Sequence, residues 1–405
     1  MAKTRLSFLT FLAYLIVARL SCPALSNIPF MNMGFVFIYG LAFAILFLFT
    51  TSGISTSDTY MIICLTLYIV YVLLQIFISG GSVFDTQIYK IYVIAFMSLI
   101  YIWSKQQTLT TRKNLMLIIL GTSIFNYIYS IIVLFFDPNA SRIAAATSVL
   151  EASPYDILHA VGSFDAVNGA IFVIIILLYI RNKLSTPKVK FVITLVIALA
   201  AVFIIMASYV TAIILLILAL CLYIGRKNKA LSYISTLLII ALIIFHEQLG
   251  DFLMKISFNI AYSETVGSKF YEFGYMIRNL EATGTYGGTD GRMAKMLTSI
   301  NSFTKYPILG GLTHPDVKIG GHSEVFDILG NFGIVGFSLI AFYLRALYIS
   351  LRRSVVLKDS KKCTQVIFIV FIIGAVLNPT FYTLQMLPII LMIYLSESFL
   401  EYYTT

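Results

Sequence analysis

Apolar residues in this chain neither alternate nor keep to one helical stripe. They run on in unbroken blocks, each about as long as the roughly 20 residues that cross a bilayer, separated by short polar breaks. Twelve such blocks predict membrane-spanning helices near residues 6–21, 33–50, 59–79, 88–103, 114–135, 161–180, 190–207, 210–224, 231–246, 324–350, 363–378 and 385–400. The pattern therefore predicts an all-α polytopic membrane protein of about 12 spans. Its parts are a membrane bundle over 1–245 (spans 1–9), a long loop over 246–323, and a second bundle segment over 324–405 (spans 10–12).

Two connections break the rhythm. One covers 137–165 and holds Arg142 and His159. The other, 246–323, is by far the longest, and loops of that length are usually functional or disordered. This one keeps a helical pattern: Phe270, Phe273, Ile277 and Leu280 recur at helix spacing, and so do Met293, Leu297, Ile300 and Phe303. The spacing predicts short amphipathic helices lying on the membrane face or over the bundle. A tight hairpin is predicted at Ser208-Tyr209, its polar tip beneath the long loop.

Composition agrees with the pattern. The chain is 60% hydrophobic and 11% charged, with a mean hydropathy of +0.93, whereas soluble domains carry about 25% charged residues. The net charge of +10 belongs to short basic connections: Lys105, Arg112 and Lys113; Arg181, Lys183, Lys188 and Lys190; Arg226, Lys227 and Lys229; Arg352, Arg353, Lys358, Lys361 and Lys362. These are alternate connections, as the positive-inside rule requires, and they predict both termini in the cytoplasm and both long loops outside. The connection 51–58 is the exception, with no basic residue. No basic patch interleaved with aromatics points to nucleic acid. Cys22, Cys64, Cys221 and Cys363 are too scattered to form a disulfide framework. Arg19, near the outer end of the first span, is expected to snorkel to the interface.

The chemistry concentrates in 287–336. His322 precedes Ser323, a good N-cap, with Glu324 and Asp327 in the first turn of the next helix. The positive end of that helix disfavours an imidazolium and leaves a neutral imidazole suited to a general base. Arg292 follows Asp290, a plausible N-cap, and starts the amphipathic helix that ends before Pro307. An arginine there suits bidentate contact with phosphate oxygens, and helix amides add to an anion site. The glycines of Pro307-Ile308-Leu309-Gly310-Gly311 permit close backbone approach to a ligand. Gly330, Gly333 and Gly336 suggest close helix packing. Arg142 and Arg278 are further cations on the same side, and His159, Asn168, Ser208 and Tyr209 are possible supporting groups. There is no Asp-x-Asp, no Walker A loop and no zinc-type cluster, so no metal or nucleotide cofactor is expected. Any bond-forming step then draws on a preactivated substrate.

In this order and on this side, the motifs resemble the O-antigen polymerase and O-antigen ligase group of polytopic glycosyltransferases. The resemblance rests on Gly291-Arg292, Pro307-Ile308-Leu309-Gly310-Gly311, His322-Ser323, Gly333-Ile334-Val335-Gly336 and Gly162-Ser163-Phe164-Asp165-Ala166-Val167-Asn168. Where the family has an arginine before that last glycine, this chain has His159, and the family's arginine at the Ser208-Tyr209-Val210-Thr211 tip is missing. The resemblance implies a bacterial plasma-membrane enzyme that acts on the outer face, without metal. It would transfer a polyprenyl-pyrophosphate-linked glycan to a glycan acceptor, with a flippase and a chain-length regulator as partners. The favoured reading is a polymerase that joins lipid-linked repeat units into a surface polysaccharide; the alternatives are a ligase and, in another class, a lipid-linked-glycan flippase. A peptidoglycan-type polymerase would instead depend on Asp290 or Asp327.

Overall fold

The computed structural model describes residues 2–22, 25, 28–31, 33–50, 53–79, 86–137, 140, 163–207, 209–225, 246–259, 267, 271, 274–275, 278, 289–312, 314, 317–321, 323–378, 380–381 and 383–404. Among them there is no strand. The helices are α1 (Ala2–Ser21), α2 (Met33–Thr50), α3 (Thr56–Ser79), α4 (Thr86–Lys105), α5 (Leu109–Phe136), α6 (Phe164–Lys183), α7 (Pro187–Ala207), α8 (Val210–Gly225), α9 (His246–Asn259), α10 (Thr289–Lys305), α11 (Glu324–Ser354), α12 (Lys358–Leu377), α13 (Thr383–Leu387) and α14 (Ile393–Thr404). Six of these, α3, α5, α6, α7, α11 and α12, are long and apolar enough to cross a membrane. Shorter apolar helices lie within α1, α2, α4 and α8. The predicted ninth span, 231–246, lies outside the described residues except for His246, which opens α9.

Burial sorts the helices as a bilayer would. α6 is apolar on every side and is buried without a break from Ala166 to Leu177, so it occupies the centre, against α7, α8, α12, α13 and α14. A helix without a polar face can only be surrounded by protein or lipid. The outer helices instead present large apolar side chains outward, among them Phe49, Phe77, Phe136 and Ile205. Pro388 cannot donate a helical amide, and the last helix widens at this point. The turn Pro388–Met392 is a π-turn in which Ile393 N donates to Pro388 O, five residues back.

The bundle has two distinct ends. At one, Lys105 Nζ lies 2.7 Å from the buried Asp58 carboxylate, and Ser350 donates to the same oxygen. There too Arg112 donates to Tyr394 and Ser398, Lys183 pairs with Asp359, and Glu397 accepts from Val356 N and Leu357 N. The charge-poor connection 51–58 thus joins the basic end through Asp58. At the opposite end, Phe164 meets Tyr209 edge to face at 5.6 Å, and Asp165 accepts from Gln385 N. Arg19 does not snorkel: it is buried and donates through Nε to Met31 O at 2.6 Å.

α11 holds the largest departure from the sequence reading. Gly330 and Gly336 are close-packing points, against Ser299 O of α10 and Tyr71 of α3. Gly333 also packs closely, against Ile308 O, but it does more. Its φ of 62° and ψ of −168° break the helix, and the amides freed beyond the break find acceptors elsewhere: Ile334 N donates to Pro307 O at 2.8 Å and Val335 N to Ile308 O at 3.2 Å. From α3, the Tyr71 hydroxyl lies within hydrogen-bonding distance of Leu309 O and Phe332 O, and Gln75 Nε2 donates to Asn331 O and Oδ1. The segment after α10 is therefore wedged into a broken transmembrane helix, with the amides freed by the break paired as a low-dielectric interior demands.

Candidate functional site

Of the site residues expected from sequence, Asp327 belongs to one corner of the bundle, where α10, the segment 317–321, the start of α11 and the end of α12 meet, and Arg292 lies on a helix that forms it. α10 runs as the spacing predicted, although Asp290 lies inside the helix rather than capping it. Its contact with α11 passes through a small polar face. Ser299 is fully buried, while Leu297 of the predicted apolar stripe is 46% exposed.

Ser299 is the hinge pin of the corner. Its hydroxyl donates to Asp327 Oδ1 at 2.6 Å and accepts from Gly320 N at 2.9 Å. Asp327 Oδ1 also accepts from Gly321 N and its Oδ2 from Ser323 N, each at 3.2 Å, while Ser302 donates to Lys318 O. Gly320 lies so close to α10 that a Cβ there would sit 1.9 Å from Lys295 O. Asp327, expected only to complement the helix dipole, instead ties three segments together.

Ser323 is the N-cap of α11, accepting from Phe326 N at 3.4 Å, and it donates to Ala375 O. Glu324, 6% exposed, accepts from Thr380 N at 2.8 Å and Phe381 N at 3.2 Å. The start of α11 is thereby fastened to the turn after α12. His322, between two segments held in this way, lies outside the described residues. So do Arg142, His159 and Ser208. For Arg292 the backbone is described, in the first turn of α10, and its side chain is not.

The other expected residues are placed as follows. Gly310 and Gly311 do pack closely, and against the chain itself: a Cβ on Gly310 would meet the backbone at Asn331 O, 2.6 Å, and Gly333 N, 2.7 Å, and one on Gly311 would meet the Gln75 side chain at Nε2, 2.5 Å, and Asn331 O at 3.2 Å. Arg278 pairs with Asp251 of α9 at 3.0 Å, both side chains about half exposed, and no described hydrogen bond or ion pair joins it to the corner. Tyr209 is buried beneath Phe164. Asn168 is buried in α6, where Nδ2 donates to Phe164 O at 2.9 Å and Oδ1 has no partner among the described residues.

Asn168 has company that the sequence reading missed. Asn126, Asn378 and Thr380 are buried and each carries a polar side-chain atom without a described partner. The signal available was a polar residue inside, or at the end of, an otherwise apolar block. Among the described residues no three His, Cys, Asp or Glu side chains are grouped as metal ligands.

Fold and site together define an all-helical membrane protein, with a polar corner built at one end of the bundle. No protein-family model matches the chain, and no curated protein matches it.

Proposed function

We propose that this chain is a polytopic glycosyltransferase that joins polyprenyl-pyrophosphate-linked oligosaccharide repeat units into a surface polysaccharide. In this reading the basic end faces the cytoplasm with both termini, and the chain crosses a bacterial plasma membrane twelve times. The Ser299–Asp327 corner then faces outward. α8 ends toward the basic end and α11 starts at the other, which supports one further crossing between them.

The observation that carries the reading is the closure of α10 onto Gly320 and α11. Through it, the helix that bears Arg292 and the loop that bears His322 become neighbours, although 30 residues separate them in the chain. His322 would take the proton of an acceptor hydroxyl as that oxygen attacks the anomeric carbon. The bond from that carbon to the pyrophosphate oxygen breaks in the same step, with inversion. Arg292 would neutralise the departing pyrophosphate; preorganised charge of this kind is usually a large term in catalysis. Arg142 is the better second cation, because Arg278 is engaged with Asp251.

The test incubates purified protein with a lipid-linked repeat unit alone. A ladder of lengthening products is expected, and His322→Ala should abolish it at equal amounts of folded protein. Product only after a separate acceptor is added would make the enzyme a ligase. Binding without turnover would favour a transporter. A ladder unchanged in His322→Ala would refute the base assignment.

A further inference from the structure

A lateral groove of about 510 Å³ runs between α11 and α12. Its walls are apolar from Ile328 to Leu344 on one helix and from Phe368 to Ala375 on the other. It opens sideways, since Ile369 and Ile372 on its rim are 38% and 55% exposed. Both helices are long and apolar enough to cross a membrane, so the opening faces lipid chains.

The two ends of the groove differ in charge. At the end near the Ser323 cap stands Glu324, its carboxylate already committed to Thr380 N and Phe381 N. An anionic headgroup has no place there. Toward the basic end the lining includes two exposed polar side chains, Arg345 and Gln365, one from each helix. Arg345 lies five residues before Ser350, so about 7.5 Å along the helix inside the Asp58–Lys105 pair. It has no carboxylate partner among the described residues. A second cation stands at the mouth: Arg352 Nη1 donates to the hydroxyl of Tyr348, itself a lining residue, with the guanidinium 5.5 Å from the ring centroid.

An arginine on a lipid-facing surface without a carboxylate partner is costly and is a functional-site hypothesis by default. Arginine pairs bidentately with phosphate oxygens, and basic pockets between transmembrane helices on the cytoplasmic side hold anionic lipid headgroups. From the groove and its charge asymmetry we infer that the α11–α12 cleft is a binding site for an anionic phospholipid. The phosphate sits between Arg345, Gln365 and Arg352, and an acyl chain lies along the apolar wall past Ala341. The headgroup end is opposite the Ser299–Asp327 corner, so this site is separate from the proposed glycan-transfer site and its test does not depend on that activity.

The full chain is reconstituted in nanodiscs of equal parts phosphatidylglycerol and phosphatidylcholine, and retained lipid is counted by native mass spectrometry. Wild type should retain phosphatidylglycerol over phosphatidylcholine by roughly tenfold, a difference of about 1.4 kcal/mol. Arg345→Gln should erase that preference, Arg345→Lys should restore part of it, and Ala341→Phe should reduce retention of both lipids. Lys188→Gln removes an equal charge from α7 at the same end and should change nothing. Equal retention by Arg345→Gln and Lys188→Gln would overturn the site. So would a photoactivatable phosphatidylglycerol chain that labels wild type anywhere but α11 and α12, a readout that needs no variant.

Discussion

Gly333→Ala tests whether the broken helix is a requirement of the fold. At φ 62° and ψ −168° the backbone is in a region that only glycine occupies without strain, and an alanine held there costs about 1–3 kcal/mol. The added Cβ would also lie 2.3 Å from Ile308 O, 2.5 Å from Ile308 C and 2.8 Å from Leu309 N. These are backbone atoms that cannot rotate away, and overpacking of this kind costs about 1–3 kcal/mol more. Moving the 307–312 segment aside gives no relief, because it would break the bonds from Ile334 N and Val335 N, each worth about 1 kcal/mol. The sum is about 4 kcal/mol. Melting shifts by about 2–4 °C per kcal/mol in domains of 150–250 residues and by less in longer chains, so a fall of roughly 4–8 °C is expected. Thermal unfolding of the detergent-solubilised protein measures it. Gly121→Ala is the comparison, since a Cβ on that exposed residue of α5 meets nothing within 4 Å and replacing a helical glycine should gain about 1 kcal/mol. If Gly333→Ala melted within about 1 °C of wild type, α11 could run straight and the wedge would not be structural.

The remaining predictions address the two ends of the bundle. Asp58→Ala leaves Lys105 uncompensated beside Ser350 and should cost about 3–5 kcal/mol; adding Lys105→Ala should recover much of it in the same melting assay, and a double variant no better than the single would refute the pairing. Glu324→Ala strands two buried amides at about 1–3 kcal/mol each, so hydrogen exchange should quicken at Thr380 and Phe381, less in Glu324→Gln, which keeps one acceptor. Asp327→Ala releases Ser299, Gly321 and Ser323 together; the lipid-linked repeat-unit assay should show more than about tenfold loss of product, equivalent to about 1.4 kcal/mol in the barrier, with Ser299→Ala closer to wild type. Equal activity in these two variants and wild type would separate the corner from catalysis.

Apolar blocks longer than any soluble core element leave only one way to satisfy the backbone, which is a helix bonded to itself within lipid or protein. Hydropathy therefore located the apolar helices among the described residues, and the helical period found α10, while α9 was in neither pattern. Local capping was legible in part: Ser323 caps α11 where its residue type and the following acids said it would, while Asp290 lies inside α10 instead of capping it. Side-chain partnership was not. The connection 51–58 looked like an exception to the charge pattern until α3, α4 and α11 brought its Asp58 to Lys105 and Ser350. The glycine run 330–336 reads as one packing face, and its three glycines do make close contacts, yet only the wedge of 307–312 shows that Gly333 is also a break in the helix. Helix formation depends on residues within a turn of one another, so the sequence by itself determined the apolar helices and the Ser323 start of α11. The Ser299–Asp327 corner, the broken α11 and the charged groove depend on contacts between residues tens to hundreds of positions apart, and only the tertiary structure decided those.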